Sequence, residues 1–262
     1  MKLIRNLIAA AFLCACIASP LVLWREFTQE TQAGPVGFRL SSGFKPSHIP
    51  GLKLWLDASQ IAGLNDGDAV ATWSDASGNG YAVTQGTASA RPTYKTGVVN
   101  SKPVVRFDGV DDLLDNGTFA VNQPCTWFCV AKRTGGNPSY GFVFDSVGAD
   151  PTRQALIYTV GSTKWTLYAG SLVDESGTTG AVFKSIQAVF NGASSKIIVG
   201  GTETIVNPGS QNLANGVRIG QVAGGGGFVF GGDVAELGCY TGVLSAGNLA
   251  LLQGYLNSKY GL

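Results

Sequence analysis

The chain has 262 residues, 45% of them hydrophobic and 13% charged, with a net charge of +1. That is enough apolar material for one sizeable core, and it excludes a chain that is disordered throughout. Its 18 Lys and Arg are scattered without a basic stripe, so no nucleic-acid partner is expected.

The N-terminus differs from everything after it. Lys2 and Arg5 precede an apolar run from Leu7 to Trp24 that only Ser19 and Pro20 interrupt. Residues 1–24 therefore read as a signal peptide or membrane anchor, which predicts an extracytoplasmic protein, secreted or surface-anchored, with the membrane as a partner through this segment. Three versions stay open: a lipoprotein-like box at Leu13-Cys14-Ala15-Cys16, cleavage after Ala18, and an uncleaved anchor with Lys2 and Arg5 inside. The alternative is a hydrophobic arm packed in an assembly. Residues 25–50 turn polar and irregular, with Gly34-Pro35, Pro46 and Pro50, and read as a linker or stalk.

Residues 51–262 form the predicted domain. Short runs rich in branched and aromatic residues recur at Leu52 to Leu56, Ala69 to Trp73, Val104 to Phe107, Cys125 to Val130, Gly141 to Phe144 and Ala155 to Val160. They continue at Lys164 to Tyr168, Ser185 to Phe190, Lys196 to Val199, Val217 to Ile219 and Val234 to Tyr240. Close spacing and Gly, Asn and Ser turns between them predict two antiparallel sheets packed as a sandwich. One helix is expected near the C-terminus. Ser245 caps it, Leu249, Leu252 and Leu256 recur at helical spacing, Gly261 stops it, and its apolar stripe should close one edge of the sandwich.

Cys125 and Cys129 are four apart on one strand, roughly 13 Å from each other, so they cannot pair. Together with Cys239 they read as small core hydrophobes, while a bridge from Cys239 to either stays open.

Several segments carry a family resemblance. They are GLKLWLDASQ from Gly51 and WSDASGNG ending at Gly80, Arg91-Pro92-Thr93-Tyr94, the run Pro103 to Asp112 containing FDGVDD, Asp233-Val234-Ala235-Glu236, and the ending Tyr255 to Leu262. Together they resemble the laminin-G-like branch of the concanavalin A-like lectin and glucanase domains, over nearly all of 51–262. The resemblance implies an all-β, two-sheet jelly roll with a short C-terminal helix. It leaves function open, because that fold carries lectins, adhesins, virion proteins and glycosidases.

The resemblance also implies a calcium candidate, since many laminin-G-like domains hold such an ion in loops. Asp75, Asn79, Asp108, Asp111 and Asp112 are the oxygen donors in the matching loops, and the two loops should approach each other. The competing reading is that Asp75 and Asp108 only form side-chain-to-backbone turns.

Hydrolysis in the related glycosidases uses Glu-x-Asp-x-Glu or a close variant on one strand, and nothing here matches it. The five glutamates are dispersed, Glu236 has Asp233 on the opposite strand face, and the lone histidine is His48 in the linker. For a saccharide, the useful groups are aromatic faces beside polar side chains. Trp55, Trp73 and Trp127 read as core, and Trp165 shares the inward face of its strand with Leu167. Lys164, Thr166 and Tyr168 share the outward face and are the candidate ligand-binding residues.

The expectation is a non-catalytic glycan-binding or adhesion module for glycan or cell-surface polysaccharide. The alternative is a virion structural protein, a homo-oligomer or particle subunit, and a glycosidase is the least favoured reading.

Overall fold

The computed structural model describes residues 43–262 apart from 149–150, 162, 178–180 and 226. The expected signal or anchor, with Cys14 and Cys16, and most of the expected linker lie outside the described residues. Packing against the domain starts upstream of Gly51. The Phe44 ring meets Tyr255 edge-on at 6.0 Å, Ile49 is buried, and the Tyr240 hydroxyl donates to the Pro46 carbonyl at 2.8 Å.

The first eight strands are β1 (Leu52–Asp57), β2 (Thr72–Trp73), β3 (Val83–Thr84), β4 (Thr93–Val99), β5 (Lys102–Asp108), β6 (Leu114–Asn116), β7 (Cys125–Gly136) and β8 (Tyr140–Ser146). Eight more follow: β9 (Ala155–Thr159), β10 (Lys164–Tyr168), β11 (Leu172–Asp174), β12 (Lys184–Phe190), β13 (Ser195–Val199), β14 (Thr202–Val206), β15 (Val217–Ile219) and β16 (Phe230–Thr241). The helix α1 spans Ala246–Tyr260.

They form two antiparallel sheets. The first is ordered β14-β13-β12-β7-β16-β5-β4, with β1 also on β16, and the second β11-β10-β9-β8-β15-β6-β3-β2. β3, β4, β6, β11 and β14 have no counterpart among the expected strands. β4, β11 and β14 are sheet edges, where a half-solvated strand lacks the apolar run that reveals a central one, and β3 and β6 are only two and three residues long.

β16 organises the first sheet. β7 follows one side of it, while β5 pairs with its beginning, Gly231 to Val234, and β1 with its end, Glu236 to Tyr240. Such crowding demands glycine. A Cβ on Gly231 would lie 2.4 Å from the Gly135 carbonyl carbon, and one on Gly109 would lie 2.5 Å from the Gly136 Cα.

Between the sheets, Trp127 stacks on Phe144 at 4.1 Å and meets Phe119 edge-on at 5.6 Å. Trp73 and Trp165 are buried in the same core, as are the free thiols of Cys125, Cys129 and Cys239. Trp55 is buried too, but on the other face of the first sheet, where α1 lies.

The Ser245 hydroxyl caps α1 by accepting from Asn248 N–H at 3.2 Å, and Gly261 ends it in the left-handed conformation with φ 68°. Leu249, Leu252, Leu256 and Tyr260 pack on Trp55, Val104, Phe128 and Val130. The helix therefore covers a face of the sandwich, not an edge as the stripe alone suggested. The outward positions of β1, β5 and β7 are apolar and need a cover.

Candidate functional site

β10 alternates as its sequence predicts. Trp165 and Leu167 enter the core, and Tyr168 stands on the outer face of the second sheet with Phe142, Ile157 and Phe228. Tyr140 meets Phe228 edge-on at 5.6 Å, which closes an aromatic wall around a hollow of about 180 Å³. Arg153 lies in this wall, its guanidinium 5.0 Å from the Tyr168 ring centre and 5.8 Å from that of Phe142. Its hydrogen-bonding edge is taken by Asp145, at 3.1 Å from Nε and 2.6 Å from Nη2. Asp145 is fully buried and also accepts from Ala223 N–H; burial pushes its pKa up despite the guanidinium beside it.

A larger hollow of about 640 Å³ adjoins the first and shares Tyr140 and Leu172 with it. Thr159, Asp174 and Asn207 supply its polar lining. The Thr166 hydroxyl donates to Asp174 at 2.5 Å and lies 2.6 Å from the Thr159 hydroxyl. Thr166 is thus buried and committed. It orients the exposed Asp174 carboxylate instead of meeting a ligand itself. Of the sequence candidates, Tyr168 lines a hollow, Thr166 sits behind one, and Lys164, on the same strand, lines neither.

Sequence reasoning missed Tyr140, Phe142, Arg153, Asp174 and Phe228. They come from separate segments, and the available signal was that Phe142 and Ile157 are apolar at outward positions of the face.

The proposed calcium ligands separate into two groups. One carboxylate oxygen from each of Asp108, Asp111 and Asp112 lies within 4.8 Å of the others. Asp112 is buried and accepts from Asp108 N–H at 2.8 Å, while Asp108 forms a turn by accepting from Val110 N–H. Burial first, then the charges of Asp108 and Asp111, push the Asp112 pKa up to about 6.

Asp75 and Asn79 are elsewhere. Asp75 accepts from the N–H groups of Trp55, Ser77 and Tyr81, and Asn79 donates to the carbonyls of Leu52 and Lys53. The expected approach of the two loops does not occur. Trp55 pairs opposite Gly238 and Asp108 opposite Gly231, which puts roughly 20 Å of β16 between them. The backbone of the triad, in contrast, adjoins the segment that borders the smaller hollow: a Cβ on Gly220 would be 2.8 Å from the Asp112 carbonyl, and Val222, two residues on, lines that hollow.

Asp57 and Glu236 form another close carboxylate pair, both within 2.8 Å of Lys259 Nζ. Their spacing would suit a hydrolytic pair, but Asp57 is 3% and Glu236 0% exposed, so no glycosidic bond can reach between them. This pair is structural.

No family model matches the chain, and no curated protein matches it. Solved structures share its fold at low identity. Trypanosoma rangeli sialidase in complex with sialic acid is 12% identical with a TM-score of 0.52, over 80% of this chain and 33% of that one. An arabinofuranosidase complexed with arabinofuranosyl-alpha-1,2-xylobiose is 15% identical with a TM-score of 0.52, over 73% of this chain and 51% of that one. A mutant α-L-arabinofuranosidase soaked with 4-nitrophenyl α-L-arabinofuranoside gives a TM-score of 0.54 at 12% identity, with the same coverage. The chain thus spans a third to a half of these proteins. The neighbours named are glycoside hydrolases and not adhesion proteins, against the expectation of a non-catalytic glycan-binding module; at this identity the likeness shows the all-β fold alone.

Proposed function

We propose that the chain is a carbohydrate-processing protein that seats a saccharide on the outer face of the second sheet. The observation that carries this reading is the pair of adjoining hollows, which set an aromatic wall of Tyr140, Phe142, Tyr168 and Phe228 beside the Asp174 carboxylate. A sugar ring stacks its C–H face on such a wall, and its hydroxyls donate to a carboxylate held in place. The laminin-G-like jelly-roll connectivity and an extracytoplasmic location belong to the same proposal, supported by the sequence motifs and by the apolar N-terminus.

Support for hydrolysis comes from the fold neighbours and from the acidic triad. Within that triad Asp108 and Asp111 are exposed to an incoming glycosidic bond, whereas Asp112 is buried behind them and positions the loop. The same three groups carry the calcium proposal. An all-oxygen set suits a hard cation, whose charge would relieve their mutual repulsion.

The test incubates the full chain with an oligosaccharide panel, following binding by calorimetry and cleavage by released reducing ends. Tyr168→Ala should weaken binding by about tenfold or more, in keeping with the loss of one stacked ring. Asp108→Asn combined with Asp111→Asn should abolish release while binding persists. Absence of both binding and release across the panel rejects the reading.

A further inference from the structure

We propose that the saccharide taken by this face is uncharged, and that Asp174 is the residue that discriminates against acidic sugars. The inference rests on the carbohydrate reading above and narrows it to a substrate class.

Among the described residues that line the two hollows, Arg153 is the only cation. It is already spoken for: Asp145 holds Nε and Nη2 at 3.1 and 2.6 Å, and the guanidinium plane lies against Tyr168 and Phe142. Asp145 is fully buried and fixed by two backbone N–H groups as well, so it cannot swing away to release the guanidinium. Arg218 belongs to the neighbouring strand of the same sheet and is bound in the same two-pronged way, by Asp115 at 2.8 and 2.7 Å. Lys164 lies outside the lining of both hollows.

The group that does face the larger hollow is an anion. Asp174 is exposed, and Thr166 and Thr159 orient it from behind. Neutral hydroxyls satisfy its oxygens, whereas the carboxylate of a uronic or sialic acid placed there would meet a like charge with no cation in the lining of that hollow to offset it. Beside it the smaller hollow is mostly apolar and has room for a ring's C–H face, and its one cation, Arg153, is held by Asp145. The face is therefore built against acidic sugars as much as for neutral ones.

The experiment measures the full chain by calorimetry against neutral xylo-, arabino- and gluco-oligosaccharides and against uronate-bearing and sialylated oligosaccharides of the same length. Neutral ligands should bind at least about tenfold more tightly than their acidic counterparts. Asp174→Asn, an exposed isosteric change, should shrink that ratio at least about threefold, and its circular dichroism should match the wild type. Acidic ligands bound as tightly as neutral ones, or a ratio unmoved by Asp174→Asn, overturn the inference while leaving the carbohydrate reading intact. Binding of neither class overturns both.

Discussion

Lys259 Nζ lies 2.8 Å from Glu236 Oε2, and through this contact the last turn of α1 is tied to the middle of β16. The same ammonium lies 2.7 Å from Asp57 Oδ2 at the end of β1. Glu236 is further hydrogen-bonded by Trp55 Nε1 at 2.6 Å and by the Tyr260 hydroxyl at 2.7 Å, so every strong acceptor in this sealed pocket is matched. Burial pushes Glu236 upward and the nearby ammonium pulls it back; for Asp57 burial also raises, but Lys259, Ser59 and Gln60 outweigh it and leave the pKa lowered.

Removing that cation should be severe. Lys259→Met leaves two buried carboxylates without a counter-charge, and urea unfolding should report a loss of about 3–5 kcal/mol. A loss under about 1 kcal/mol would show that the pair is solvated.

Asp112 should give an opposite sign. Its folded pKa, about 6, exceeds the ordinary aspartate value of 3.8, so its ionised form costs stability above pH 6, and the cost fades as pH falls through 6 toward 3.8. In chelator, Asp112→Asn should stabilise the protein by about 1–2 kcal/mol at pH 7.5 and by little below pH 4. Equal gains at both pH values would contradict the assignment.

Calcium should raise the melting temperature if the triad binds it, with about 2.7 kcal/mol of stabilisation at a hundredfold excess over Kd. Asp111→Ala should remove that response, and Asp75→Ala should not, because Asp75 sits in the separate turn beside β1. Identical melting curves in calcium and chelator would make the triad a turn alone.

At the glycine junction, Gly231→Ala inserts a methyl group 2.4 Å from the Gly135 carbonyl carbon and 2.5 Å from the Gly136 amide nitrogen. Backbone cannot give way as a flexible side chain does, so a destabilisation of about 2–3 kcal/mol is expected in thermal or urea unfolding. Gly86→Ala, at a glycine without positive φ whose Cβ meets nothing within 4 Å, is the control for loss of a glycine alone.

Local pattern was sufficient for much of this protein. The alternation of Trp165 and Leu167 against Tyr168 assigned the two faces of β10, and Ser245 with Gly261 marked both ends of α1, because strand and cap signals depend only on near neighbours. The edge strands β4, β11 and β14 and the very short β3 and β6 were invisible for the same reason, since their pairing partners and not their own composition define them. Tertiary structure decided the rest. Whether Asp75 met Asp108 depended on which end of β16 each neighbouring strand joined. The aromatic wall draws Tyr140, Phe142, Tyr168 and Phe228 from two strands and a loop. Pairing Lys259 with Asp57 and Glu236 required the two ends of the domain to meet, and no spacing along a chain encodes such contacts; only the register of the sheets and the docking of the helix bring those charges together.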